Sequence, residues 1–243
     1  MKVVLLGTGG PRPDPRRAAS TTLIRVGQEN ILFDAGRGVV LQLVKVGIPL
    51  DRVNPVFVTH HHFDHIGDLY DVMLSSWMHG RKEALRIYGP PETRRIVDTL
   101  LTQVYDKDWQ WRSAGEPSFG GWKPVVAEDI APGAVVEGGS WKVLADRVQH
   151  GDTLGFSPAF LQRWTCLGYR LEAEGKVVAI SGELWTARAW RGSRRMRTCW
   201  CTAAIWRARR SRTSISEDWL NTRWRSEILW ERSRPVQTRR RWF

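Results

Sequence analysis

The chain has 243 residues and 42% hydrophobic content, enough for one sizeable domain or two small ones with a real core. No stretch approaches the ~18 consecutive apolar residues of a membrane span, and the apolar part of MKVVLLGTGG is too short for a secretion signal, so the sequence predicts a cytoplasmic chain with no membrane partner. The net charge of +12 is unevenly placed: residues 1–182 hold 21 Lys+Arg against 20 Asp+Glu, which leaves 16 Arg, no Lys and 5 acids for residues 183–243, so the basic character that would suggest nucleic acid belongs to the last quarter.

Lys2 to Leu6 reads as a buried strand closed by GTGGPRPDP, whose glycines and prolines exclude helix. Thr21–Val26 and Ile31–Phe33 form a predicted hairpin around GQEN, ending in the tight turn DAGRG. Val39, Leu43 and Val46 share one helical face, and Pro55–Thr59 is a short apolar strand. Helices are predicted over 68–78 and 92–104, on either side of a strand at 85–88 that GPP stops. Residues 105–140, rich in Gly, Pro and Trp, show no clean period. Strands return at 141–148, 168–172 and 176–180. Helices placed after strands, with no internal repeat, predict an α/β sandwich with helices outside two sheets. Cys166, Cys199 and Cys201 make neither an even disulfide framework nor a CxxC pair and read as free thiols.

Chemistry concentrates in VFVTHHHFDHIGD, residues 56–68, where His60, His62, Asp64 and His65 directly follow an apolar strand. Alternate residues at a strand end point the same way, so His60 and His62 can converge on one metal while the next turn carries Asp64 and His65 toward a second. Imidazoles and a carboxylate at this density suit Zn²⁺, with Mn²⁺ or Fe²⁺ as alternatives. His61 faces the other way and reads as structural. A mononuclear site needs a further donor, and His150 in RVQHGD, after the strand at 141–148, is either that ligand or a surface residue. His79, at a predicted helix end, reads as a C-terminal cap.

The order LGTGG, LFDAGRG, THHHFDH, IYGPPE, a histidine after a strand, and GYRLEAEGKVVAISG resembles the metallo-β-lactamase superfamily, in particular its ribonuclease Z and arylsulfatase-like branch. The resemblance covers about residues 1–182. It implies an αββα sandwich with two metals in a cleft at one edge of the sheets, His60, His62 and His150 on one ion and Asp64 and His65 on the other. It also implies an aspartate bridging both ions at the end of AISG and a last histidine beyond it. Glu183 stands at the bridging position and the last histidine has no counterpart, so one ion is expected here rather than two. Asp34 in LFDAG matches an aspartate beside the site, with either an orienting role toward a ligand or a plain turn-forming role.

From Glu183 onward the text changes to Arg, Trp, Ser and Thr, with 8 of the chain's 14 tryptophans and none of its 6 histidines. Back-translated and reread two bases later, residues 183–206 can give TVDCAGLERLAQDADVLVHCCYL, a helical period followed by an apolar strand; the synonymous codons are a choice, but Trp185-Thr186 forces an aspartate. One base deleted from a GAC codon before ACT would turn SGDT into SGEL. Two regions are therefore expected: a truncated hydrolase domain over 1–182, with the sandwich incomplete on its C-terminal side, and an out-of-frame, poorly ordered tail over 183–243.

The expected activity is hydrolysis of a sulfate ester, phosphodiester or carboxylic ester by a metal-activated water, with Asp64 orienting the nucleophile. The alternatives are tRNA 3′ processing, a defective single-metal member, and a nucleic-acid-binding module acting through the basic tail. Residues 101–149 hold 5 Lys+Arg against 7 Asp+Glu, so a basic arm for tRNA is not evident and a small ester is favoured over nucleic acid. Arg12, Arg16 and Arg17 either meet an anionic substrate or belong to a solvated loop. A homodimer is left open.

Overall fold

Side chains that alternate across the early strands give a sheet buried on both faces. A computed structural model describes residues 1–182 except 117, 119, 152 and 153; Glu183 and the Arg/Trp-rich text after it, with Cys199 and Cys201, lie outside the described residues. Strands β1 (Lys2–Gly7), β2 (Thr21–Val26) and β3 (Glu29–Phe33) form an antiparallel meander, to which β4 (Val53–Phe57), β5 (Leu85–Gly89) and β6 (Val125–Asp129) add in parallel, in spatial order β1-β2-β3-β4-β5-β6. Leu23, Leu32, Val56 and Ile87 point to one face and Ile24, Ile31, Phe33, Phe57 and Tyr88 to the other, as the period of two requires.

The crossovers between the parallel strands carry the helices that cover the first face. These are α1 (Val39–Lys45), α2 (Phe63–Ile66), α3 (Leu69–Met78) and α4 (Thr93–Thr99), whose Val39, Leu43, Leu69, Met73 and Val97 complete that core. At the end of α3 the buried Arg81 guanidinium donates to Ser76 Oγ and to the carbonyls of Glu83, Lys123 and Pro124, tying the helix to the approach of β6. Burial lowers its pKa to about 10, so it stays charged at neutral pH and its donors need those acceptors.

The second face is closed by an antiparallel sheet, β7 (Val135–Glu137), β8 (Trp141–Val148), β9 (Cys166–Ala173) and β10 (Lys176–Ile180), in order β10-β9-β8-β7. Trp141, Val143, Tyr169, Leu171, Val178 and Ile180 meet the first sheet. Phe57 is the hub, with ring centroids 5.2 Å from each of Phe33, Tyr88 and Tyr169. The Tyr169 hydroxyl donates to Val58 O at 2.6 Å, which satisfies this buried polar atom and ties the second sheet to the loop after β4.

Sheets flanked by helices are the mixed α/β architecture that the sequence predicts. Several elements differ from the reading. The helix expected over 92–104 is α4 followed by a π turn at Leu100–Val104, and the strand expected at 55–59 runs over 53–57. The segment without a period contains β6, β7 and α5 (Asp106–Gly115), and α6 (Pro158–Arg163) stands between β8 and β9. Neither α5 nor α6 has a fully buried residue, which is why neither left an amphipathic stripe. Cys166 is buried as a thiol at the start of β9. Among the described residues no helix is long and apolar enough to cross a membrane.

Candidate metal centre

The parallel strands β3 and β4 end side by side, and their following residues supply most of the site. Asp34 follows β3 in a left-handed conformation, φ 63°, which turns its carboxylate across to the loop after β4. There Oδ1 accepts from Thr59 N at 2.7 Å and Oδ2 from Thr59 Oγ1 at 3.0 Å. Thr59 is fully buried, and its carbonyl accepts from Leu167 N of β9 at 2.8 Å, so this loop is a backbone seam between the two sheets. Gly182, just after β10, packs on the same threonine: a Cβ at 182 would lie 2.7 Å from Thr59 Oγ1.

From this base the histidines are aimed. Thr59 Oγ1 spends its proton on Asp34 and lies 3.0 Å from His60 Nδ1, so His60 carries its proton on Nδ1 and offers the Nε2 lone pair. His60 Nε2 lies 2.9 Å from His62 Nδ1, and His62 Nδ1 lies 3.1 Å from His150 Nε2, which arrives from the end of β8 in the other sheet. All three donor atoms fall within 4.8 Å of one another. Four ligands placed tetrahedrally around an ion with Zn–N bonds near 2.0–2.1 Å are separated by about 3.3 Å. Burial, reinforced by the neighbouring His65, His62 and His150, holds the His60 pKa well below the ordinary imidazole value and keeps its lone pair available.

A second group sits against the first, with the His60 and His65 ring centroids 4.0 Å apart. His65 is fully buried on the short helix α2, its Nδ1 donating to Asp34 Oδ2 at 2.7 Å, which directs Nε2 toward Asp64. Asp64 Oδ2 is 3.7 Å from that Nε2 and is buried, with no hydrogen-bond partner among the described residues. Three imidazoles whose donor atoms converge suit a divalent cation, and the buried Asp64 carboxylate beside them is a further anionic oxygen donor of the kind such cations take. The residues present therefore fit a metal ion.

The sequence-predicted residues divide accordingly. His60, His62 and His150 meet, Asp64 and His65 lie beside them, and Asp34 stands behind His65 and Thr59. Glu183 lies outside the described residues. His61 turns away, its Nε2 2.8 Å from Thr93 Oγ1. His79 closes α3, its Nδ1 2.8 Å from Ser75 O. Arg16 and Arg17 are paired with Asp14 inside their own loop. Sequence reasoning missed Thr59, whose only signal is a hydroxyl directly before the histidines. It also missed Trp164, whose ring centroid lies 4.8 Å from that of His62 and whose Nε1 donates to His150 O at 3.1 Å; nothing in its spacing marks it.

The chain is 33% identical over 188 residues to a protein named Ribonuclease Z from Mycolicibacterium gilvum (strain PYR-GCK), covering 75% of this chain and 61% of that protein. It is 32% identical over 186 residues to one from Mycobacterium marinum (strain ATCC BAA-535 / M), covering 75% and 63%. The chain thus spans about three fifths of the length of these curated relatives. Among solved structures, the metallo-beta-lactamase fold protein YhfI from Bacillus subtilis aligns with a TM-score of 0.54 at 19% identity over 74% of this chain and 62% of that one. The short form of human tRNase Z aligns with a TM-score of 0.52 at 23% identity over 75% and 69%. These two likenesses concern the fold. The family model described as Metallo-beta-lactamase superfamily matches residues 14–159, a span that runs from the loop before β2 through both ligand groups into α6, and the chain belongs to that superfamily.

Proposed function

We propose that this chain carries the metal site of a hydrolase that cleaves a phosphodiester with a metal-activated water. The observation that carries the reading is the approach of His60 Nε2, His62 Nδ1 and His150 Nε2, brought together from two different sheets. In this reading those three hold one ion, zinc by the softness of the donors, with manganese or iron as alternatives. Asp64 and His65, with Glu183, address a second. A divalent ion in such a site supplies Lewis acidity, making water a competent nucleophile near neutral pH and drawing charge from the ester oxygens. The protein's own part is orientation. The Asp64 carboxylate would orient the attacking water by accepting a hydrogen bond from it, and Asp34 locks the tautomers of His60, through Thr59, and of His65 directly.

The relatives named Ribonuclease Z support an RNA phosphodiester over the small ester, whether sulfate ester, phosphodiester or carboxylic ester, that the charge of residues 101–149 favours. The composition of residues 183–243 supports a shifted reading frame in that segment, so that 1–182 is the hydrolase region and the second ion position lacks its bridging aspartate. Metal analysis tests the reading. Zinc-equilibrated protein should hold close to one tightly bound ion, and His62→Ala, which changes an exposed ring and leaves the core intact, should lose it together with any hydrolysis of bis-nitrophenyl phosphate. Unchanged metal content in His62→Ala would overturn the assignment.

A further inference from the structure

One wall of the centre is built from side chains that ligand binding does not need. Trp164, just after α6, has its ring centroid 4.8 Å from His62, 6.1 Å from His60 and 6.5 Å from His150. Phe160 stacks on it at 5.7 Å with 17° between the planes, and Phe156 lies 4.4 Å from Phe160. Phe156 and Phe160 are 43% and 39% exposed, and Leu154 beside them is 61% exposed. Scattered exposed apolar residues are ordinary; a stacked row leading outward from a ligand ring is a patch with a direction.

The row is also held in place. Arg163 on α6 reaches across to Glu92 at the start of α4 in a two-point contact, Nε to Oε1 at 2.6 Å and Nη2 to Oε2 at 3.1 Å. Glu92 takes Arg95 as well, at 2.7 Å, and sits in the left-handed region at φ 81°. A strained residue with a bidentate partner is a rigid mount rather than a loose surface pair. The other end of the row is fixed by the indole hydrogen bond to His150 O. Preorganised aromatic faces beside a polar reaction centre suit a flat ring carried by the substrate, because every such ring can stack whatever its edge groups.

We propose that Phe160 and Trp164, extended by Phe156, form a subsite that stacks an aromatic ring attached to the scissile ester, either a nucleobase or an aryl group. The inference rests on the hydrolase reading above and adds the substrate class to it. Non-hydrolysable probes test it on the full chain, with and without zinc. Zinc-loaded protein should bind phenylphosphonate about tenfold more tightly than methylphosphonate, the effect of one stacked ring. Phe160→Ala should bring that ratio close to one and Phe160→Tyr should keep it, with zinc content unchanged in both. Saturation-transfer NMR should show the phenyl protons in contact in metal-free protein too, and that signal should vanish in Phe160→Ala. Thymidine 5′-monophosphate sharing the preference assigns the subsite to a base, whereas a preference confined to the phenyl compound assigns it to an aryl leaving group. Equal affinities for the phenyl and methyl probes in the unaltered chain, or a ratio that survives Phe160→Ala, would overturn the subsite. Absence of zinc uptake would overturn the hydrolase reading and leave the ring contacts to judge the subsite alone.

Discussion

The two ligand groups of the centre are assembled in different ways. His60, His62 and His150 come from both sheets and have three nitrogens already facing one another, whereas Asp64 and His65 come from one turn of one helix and leave a buried carboxylate oxygen without a hydrogen-bond partner among the described residues. The first group needs only the sandwich to close. The second needs a partner from elsewhere. Sequential neighbours can be placed by local geometry alone, but a complete coordination shell draws on separate parts of the chain, and so it fails first when one part changes.

The largest test of that contrast is to remove one ligand from each group. Structural zinc sites are worth about 10–16 kcal/mol over four ligands, so losing one nitrogen of the first group costs about 3 kcal/mol, more than a hundredfold in affinity. His62→Ala should therefore fall below stoichiometric zinc in equilibrium dialysis, while His65→Ala keeps its first ion. Equal losses would show that the two groups act as one.

Next in size is the repair of codon 183. If residues 183–243 are out of frame, restoring one base should raise zinc content toward two ions and increase bis-nitrophenyl phosphate hydrolysis by far more than Glu183→Asp alone. Equal activity in the original and repaired chains would mean that the Arg/Trp-rich segment serves the site as it stands.

A smaller effect is expected at Asp34. Asp34→Ala removes the acceptor for Thr59 N, Thr59 Oγ1 and His65 Nδ1 together, and the loss of such supporting partners weakens metal binding about 10–100-fold. Competition with a chelator should strip the ion from Asp34→Ala at a lower chelator concentration than from the unaltered chain, and Asp34→Asn should recover part of the loss.

The smallest effect concerns the mount of α6. Hydrogen bonds from Arg163 and then Arg95 lower the Glu92 pKa to about 2 from an ordinary 4.5. A carboxyl depressed in the folded state contributes fully above its unfolded pKa and loses that contribution as pH falls, here between about 4.5 and 2. Both partners are exposed, so the global effect is slight. The protection factors of α6 amides should fall over that window in the unaltered chain, and should be low throughout in Glu92→Gln.

Legibility followed burial. The strands β2, β3, β8 and β10 were readable because one or both faces are covered and turn residues stop them. The helix α5 was not, because Trp109 and Trp111 fall on a helix that has no fully buried residue, and β6 and β7 lie at the ends of their sheets with most of their residues exposed and none fully buried. For α6 the Ser157-Pro158 cap was present in the text, with Ser157 Oγ accepting from Phe160 N, but one short exposed helix gives no period to find. In the site, the spacing of His60, His62, Asp64 and His65 was explicit. The approach of His150 depends on how two sheets meet, and spacing does not encode that. Asp34 carries two readings, turn former and orienting carboxylate, and its left-handed φ and three accepted hydrogen bonds give it a geometry compatible with both.

Gly182 gives the seam at Thr59 a further meaning. The chain after β10 can pack against the threonine that links Asp34 and His60 only because position 182 has no side chain: a methyl group there would stand 2.7 Å from Thr59 Oγ1, and the left-handed φ of 67° resists any larger residue in any case. The alignment of the imidazoles is thus set partly by a vacancy at the far end of β10, more than a hundred residues away in the chain. A single added methyl at that distance in sequence would act as a wedge between the sheets, detuning the ligands without touching one of them.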